Sequence, residues 1–290
     1  MVLEINSKKV LEEWEAEIKR RIDKHIQETW TVPILNIIRV GKRKDTELYV
    51  RNKVKKGTEL GIRVNVIELP EDATQGMLNN AIYSCTSPAI LQLPIPDHLD
   101  KEFALSYLHP NLDVDGLTVA QKGYLINGDR RCLEPATAKG VIRLIESQTS
   151  IAGKKVAILS RSELIGKPLT QMILQRDGYP IVMHSKVNYW KLKKEMIDSD
   201  IVVTGCGQRA IFTCADFKMG KQVIIDCSMA RKEGFTGVGD IYKETMIDKN
   251  FKDDGKPSEV TRLASGYGHT GPATVLGLME NVIKSYEMRR

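Results

Sequence analysis

Among the 290 residues no apolar run approaches the roughly 18 to 20 that cross a bilayer, so a membrane protein is not expected. The start, MVLEINSKKVLEEWEAEIKRRIDKH, is too charged for a secretory signal, which leads to the expectation of a cytoplasmic protein. Cysteine is scarce. Cys85, Cys132, Cys206, Cys214 and Cys227 are odd in number and include no close pair, which argues against a disulfide framework and against a zinc knuckle. No metal is therefore expected. Aromatic residues make up only 6%, and they are not interleaved with basic ones as a nucleic-acid surface requires. Charge of one sign is lacking too: 43 Lys and Arg are diluted through the chain by 37 Asp and Glu. The net charge of +6 suits a small anionic ligand better than a nucleic acid.

What is present is the pattern of a globular α/β protein, with 42% hydrophobic residues to form its core. Val10, Leu11, Trp14, Ile18, Ile22 and Ile26 recur at steps of three or four, an amphipathic helix. VPILNIIRV (32–40), VNVIEL (64–69) and AILQLPI (89–95) are short apolar runs separated by helix-length segments, the signature of parallel strands with crossover helices. A second series, KKVAIL, PIVMHS, IVVTGC and KQVIIDC, starts near Lys154 and reads as a doubly wound parallel sheet. From Gly271 the closing segment places Val275, Leu278, Met279, Val282 and Tyr286 on one helical face. The polar stretch KNFKDDGKPSEV (249–260) is the best candidate for a mobile loop.

In the first series, Tyr49 and Lys53 are spaced i, i+4, which sets a phenol and an ammonium on one helix face. Such a pair can share a substrate, although a lysine among several also fits a solvated surface. Gln92 ends a predicted strand in QLPIP, and Asp113 and Asp115 precede Gly116 in DVDGL. Ligands of open parallel sheets lie beyond the carboxyl ends of strands, where both segments fall. Taken singly, QLPIP is a strand exit and DVDG a turn.

Together, Tyr49 and Lys53 in YVRNK, Gln92 in QLPIP and Asp115 in DVDGL occur in the order and spacing of a known family. The chain resembles the bifunctional methylenetetrahydrofolate dehydrogenase and methenyltetrahydrofolate cyclohydrolase family. The resemblance continues through EPATAKG, SRSELIGKP, His184 and Ser185, Val238 to Asp240, and TGPAT, and so spans nearly the whole chain. It implies that Lys53 handles protons as water attacks the methenyl carbon, that Gln92 orients it, that Tyr49 packs on folate, and that Asp115 accepts hydrogen bonds from the pterin. Gly271 and Pro272, in a loop before the last helix, would complete the folate contacts. It also implies NADP as cofactor, with Arg161 and Ser185 on its 2′-phosphate and Ser162, Gly166, His184 and Gly207 around the rest. A fork-shaped guanidinium suits a phosphate monoester, and the start of the helix after VAIL offers N–H groups to a pyrophosphate.

Departures cluster in the second half. Ser160 stands where the family has the first residue of Gly-Arg-Ser, and Ala136 and Ala138 interrupt its Pro-Cys-Thr-Pro run. Val187 replaces a threonine, Ser228 a glycine, and His269 a loop glycine. The resemblance implies two domains, residues 1–120 completed by 271–290 around folate, and residues 121–270 around NADP, with the final helix returning to the first. It implies oxidation of 5,10-methylenetetrahydrofolate and hydrolysis of 5,10-methenyltetrahydrofolate to 10-formyltetrahydrofolate, carried out by a homodimer. A cyclohydrolase with weakened or lost dehydrogenase activity and a non-catalytic folate-binding homologue are the alternatives.

Overall fold

The computed structural model describes residues 2–208, 211–218, 220, 222–228, 239–241 and 261–289. Val238 and the 249–260 stretch expected to be mobile lie outside the described residues. The elements are β1 (Val2–Glu4), α1 (Ser7–Thr29), β2 (Ile34–Val40), α2 (Lys44–Leu60), β3 (Arg63–Leu69), α3 (Gln75–Tyr83), β4 (Ala89–Leu91), α4 (Lys101–Leu105), α5 (Val119–Asn127) and α6 (Ala136–Glu146). There follow β5 (Lys155–Leu159), α7 (Gly166–Leu174), β6 (Tyr179–Val182), α8 (Tyr189–Asp198), β7 (Ile201–Thr204), β8 (Val223–Asp226), β9 (Thr261–Ser265) and α9 (Gly266–Glu287). Among the described residues no helix is long and apolar enough to cross a membrane.

Contacts divide the chain into two compact units, Glu13–Ala136 with Val275–Arg290, and Met1–Glu12 with Thr137–Thr274. The first carries a parallel three-stranded sheet in the order β3-β2-β4. The central strand β2 is buried almost throughout, as a parallel strand covered on both faces must be. Helix α2 lies so close to β3 that a Cβ on Gly57 would stand 2.5 Å from Val64 Cγ2. It ends where Gly61 takes a φ of 90°, a conformation glycine adopts without a steric penalty. The apolar stripe of α1 buries Trp14, Ile18 and Ile22, and the last turns of α9 bury Leu278, Met279, Val282 and Ile283. The Trp14 indole donates to Glu280 at 3.2 Å, so the final helix packs against this unit.

The second unit carries a parallel six-stranded sheet in the order β1-β9-β8-β7-β5-β6. Strands β7 and β8 are wholly buried, as their apolar runs, which end at Thr204 and Asp226, require. Helices α7 and α8 cover β5 and β6.

Three boundaries differ from the sequence expectation. Strand β1 pairs with β9 from Val2↔Thr261 to Glu4↔Leu263, so it belongs to the larger sheet; three residues hold too little pattern to show this. Residues 121–136 fall with the first unit, because Gln121 accepts from Leu133 N–H (2.7 Å) and donates to the Pro110 carbonyl (2.8 Å). Helix α9 begins at Gly266, directly after β9, and not at Gly271. Gly271 and Pro272 are therefore helical and not in a preceding loop. Pro272 is exposed on the second turn, which Thr274 reinforces by donating its hydroxyl to the Thr270 carbonyl at 2.8 Å.

Candidate active site

In the first unit the chain runs from β2 to β3 on one side of the sheet and returns to β4 on the other, so a switch point falls between β2 and β4. Gln92 follows β4 directly, its N–H bonded to the Ile38 carbonyl at 2.8 Å. Its side-chain Nε2 donates to the Leu93 carbonyl at 2.9 Å, which fixes the direction of the amide. The other end, Oε1, then accepts from Lys53 Nζ at 2.9 Å. Lys53 reaches this point from α2, with Tyr49 half-buried one turn earlier. Lys53 and Gln92 are each only 8% exposed. Burial lowers the Lys53 pKa, because the cation loses its water, and the attraction of Asp115 opposes this. The Asp115 carboxyl is raised by its own desolvation and pulled back by Lys53. Lys53, Gln92 and Asp115 thus come together in one unit, with Tyr49 one helical turn before Lys53.

Asp113, the other carboxylate of DVDGL, is used differently. It is 1% exposed and accepts from Gly116 N–H (3.0 Å) and Thr118 N–H (2.6 Å), and burial raises its pKa to about 6. Gly116 holds a φ of 70°, and a Cβ there would lie 2.6 Å from the Leu133 carbonyl oxygen, so the turn presenting Asp115 requires glycine. The same turn is held from α9: buried Asn281 donates from Nδ2 to the carbonyls of Val114 (2.9 Å) and Glu134 (2.7 Å). Sequence reasoning missed Asn281. Its signal was a polar residue inside the apolar face of the last helix, which demands a buried partner.

In the second unit the chain passes from β5 to β6, then back across β5 to β7, a second switch point. A cavity of about 530 Å³ opens there, walled by Leu159 at the end of β5 and Ser160 to Ser162 after it, by Met183 to Ser185 after β6, and by Gly205 and Cys206 after β7. Arg161, Ser162, His184 and Ser185 all line it; Arg161 and Ser185 are exposed. His184 Nδ1 accepts from Lys186 N–H at 3.3 Å, which holds the turn. Gly166 does not line the cavity. A Cβ on it would stand 2.0 Å from the Ser160 carbonyl oxygen, so it lets α7 start against β5. Gly207 has a φ of 70° and open space where a Cβ would stand; it does not line the cavity, and its N–H donates to Ser228 Oγ at 3.0 Å.

Three N–H groups at and before the start of α7, where free donors were expected, are engaged. Ser162 N–H donates to Ser160 Oγ (3.3 Å), Ile165 N–H to Ser162 Oγ (3.1 Å), and Lys167 N–H to the Ser162 carbonyl (3.0 Å). Deeper, Asp226 and Asp240 are both fully buried. Asp226 accepts from Thr204 Oγ1 (3.0 Å), Ser228 N–H (3.0 Å) and Ile241 N–H (3.1 Å), and burial raises its pKa to about 6. Asp240 accepts from the N–H groups of Cys206 (2.7 Å) and Gln208 (2.8 Å). These anchors were not foreseen, apart from the position of Asp240 in its motif.

A dinucleotide fits this wall: the side-chain-free Gly205 lies beside an open volume, with an exposed cation and hydroxyl for a phosphate. Fold and sites define a two-unit α/β protein, with a buried, hydrogen-bonded lysine in one unit and a cavity at a switch point in the other.

The chain belongs to the tetrahydrofolate dehydrogenase/cyclohydrolase family: the family's catalytic domain matches residues 5–115 and its NAD(P)-binding domain residues 135–290. It is 31% identical to the bifunctional protein FolD of Clostridium tetani over 290 residues, which cover 98% of this chain and 100% of that protein. Its fold matches the bifunctional enzyme FolD, a methylenetetrahydrofolate dehydrogenase/cyclohydrolase, of Campylobacter jejuni with a TM-score of 0.88, at 26% identity and full coverage of both chains. The FolD of Trypanosoma brucei, solved with NADP cofactor and inhibitor, matches with a TM-score of 0.88 at 27% identity, over 99% of this chain and 98% of that one.

Proposed function

We propose that this chain oxidises 5,10-methylenetetrahydrofolate with NADP and hydrolyses 5,10-methenyltetrahydrofolate to 10-formyltetrahydrofolate. The observation that carries this is the buried hydrogen bond from Lys53 to Gln92, with Asp115 in electrostatic reach, in a chain of this family.

Hydrolysis needs a proton acceptor when water adds to the methenyl carbon. Lys53 takes that role in its neutral form, which its burial favours. A water proton passes to the Lys53 amine as the oxygen bonds to carbon. Breaking the bond to N5 leaves the formyl group on N10; one of the two water protons ends on N5 and the other is released. Gln92, its amide direction set by Leu93, orients the amine. Tyr49 offers its ring to the folate, and Asp115 accepts hydrogen bonds from the pterin, whose donors would otherwise be left unpaired. Gly271 and Pro272 are assigned to folate binding from the first turns of α9.

NADP, when bound, supplies the hydride acceptor, and oxidation asks of the protein only alignment and binding. Arg161 and Ser185 hold the 2′-phosphate, Ser162, His184 and Gly207 border the nucleotide, and Gly166 sets the position of α7. By family membership the enzyme is assigned to the cytoplasm as a homodimer, which sedimentation equilibrium checks. The decisive experiment assays the purified protein for oxidation with NADP and with NAD, and separately for methenyltetrahydrofolate hydrolysis by absorbance. Absence of both activities overturns the proposal.

A further inference from the structure

In the two loops beside the nucleotide cavity, several backbone donors are occupied by the protein's own acceptors. After β5, Ser160 Oγ accepts from Ser162 N–H and donates to Ser162 Oγ at 3.1 Å, and Ser162 Oγ in turn accepts from Ile165 N–H. After β7, three successive N–H groups are engaged: those of Cys206 and Gln208 by Asp240, and that of Gly207 by Ser228 Oγ at 3.0 Å. Ser160 is 6% exposed and Ser228 4%, so water is not at hand to replace a donor that either hydroxyl loses.

A dinucleotide diphosphate binds best where converging N–H groups are uncommitted. Here it must compete with acceptors already in place, and each donor it captures leaves a buried hydroxyl with one partner fewer. Asp240 anchors two amides and so shapes its loop. Among the described residues each of the two serines holds a single loop amide, and these hydroxyls are therefore the adjustable part of the arrangement.

We propose that Ser160 and Ser228 are affinity-determining residues, whose hydroxyls hold the Ser162 and Gly207 amides and keep dinucleotide binding weak. This rests on reading the cavity as a dinucleotide site. It follows that oxidation is the restrained activity of the chain and hydrolysis is not.

The test is calorimetric titration of wild type, Ser160→Ala, Ser228→Ala and the double variant with NADP and with adenosine 2′-phosphate, which lacks the diphosphate. The double variant is expected to bind NADP about tenfold more tightly, with each single variant in between, and adenosine 2′-phosphate with unchanged affinity. Thermal unfolding by circular dichroism confirms that each variant is folded, and Ser228→Ala alone carries the test if the double variant is not. Unchanged or weaker NADP binding in folded variants overturns the proposal, as does an equal gain for both ligands. Methenyltetrahydrofolate hydrolysis by wild type needs no nucleotide. Its absence would count against the proposed function and leave the serine result standing.

Discussion

Lys53 and Gln92 are each 8% exposed and bonded to each other, whereas Arg161 and Ser185, on the wall of the other cavity, stay open to solvent. In the first site burial changes a side chain's chemistry: removing water from the ammonium lowers its pKa. In the second, the buried hydroxyls of Ser160 and Ser228 are engaged with backbone. Proton transfer calls for a desolvated and pre-oriented group. Ligand capture calls for donors left over after folding, and an acceptor that satisfies a loop in advance competes with the ligand.

The largest effect expected from breaking this contrast is at Lys53. Lys53→Met should lower methenyltetrahydrofolate hydrolysis by about 10²- to 10⁴-fold, the usual worth of a general acid–base group, while NADP binding holds. Near-normal turnover, followed by absorbance, would remove Lys53 from the mechanism. Next is Arg161→Ala, which should raise the apparent NADP constant by roughly ten- to a hundredfold, about 1.5–3 kcal/mol for a charge-assisted contact, with little change for NAD. A variant that treats both cofactors as wild type does would take the 2′-phosphate away from Arg161. Asp115→Ala should weaken folate binding by about tenfold or more and leave NADP binding alone. Calorimetry with each ligand decides this, and equal losses for both would point to a folding defect.

The smallest effect concerns Asp226. Its folded pKa of about 6 lies above the ordinary carboxyl value, so the folded state holds a proton that the unfolded chain has already released. That contribution to stability is fully present below about pH 4 and is lost as pH rises through 6. The urea midpoint of Asp226→Asn should therefore shift in the variant's favour, relative to wild type, between pH 4 and 6, by on the order of 1 kcal/mol. A constant difference across that range would mean that Asp226 does not titrate there.

Much of this was readable along the chain. The buried strands announced themselves as unbroken apolar runs, and the two series of them marked two parallel sheets. The i, i+4 spacing set Tyr49 and Lys53 on one face of α2 and the strand end at Gln92 lay within reach of Lys53, because helix periodicity and strand termination are local properties. Spacing alone did not separate the roles of Asp113 and Asp115. One became the anchor of its own turn, and the other was left toward Lys53.

By itself the sequence determined the fold class and the family, since these rest on periodicity and motifs that neighbours in the chain share. Only the tertiary structure decided that β1 joins the larger sheet, that Asn281 holds the turn before Asp115, and that Ser160, Ser228 and Asp240 occupy the loop donors. Several of those contacts join groups far apart in sequence: Asn281 and Val114 are 167 residues apart, and Cys206 and Asp240 are 34. A hydrogen bond across such a separation leaves no periodic trace, and its partner is known only when folding has brought the two groups within reach.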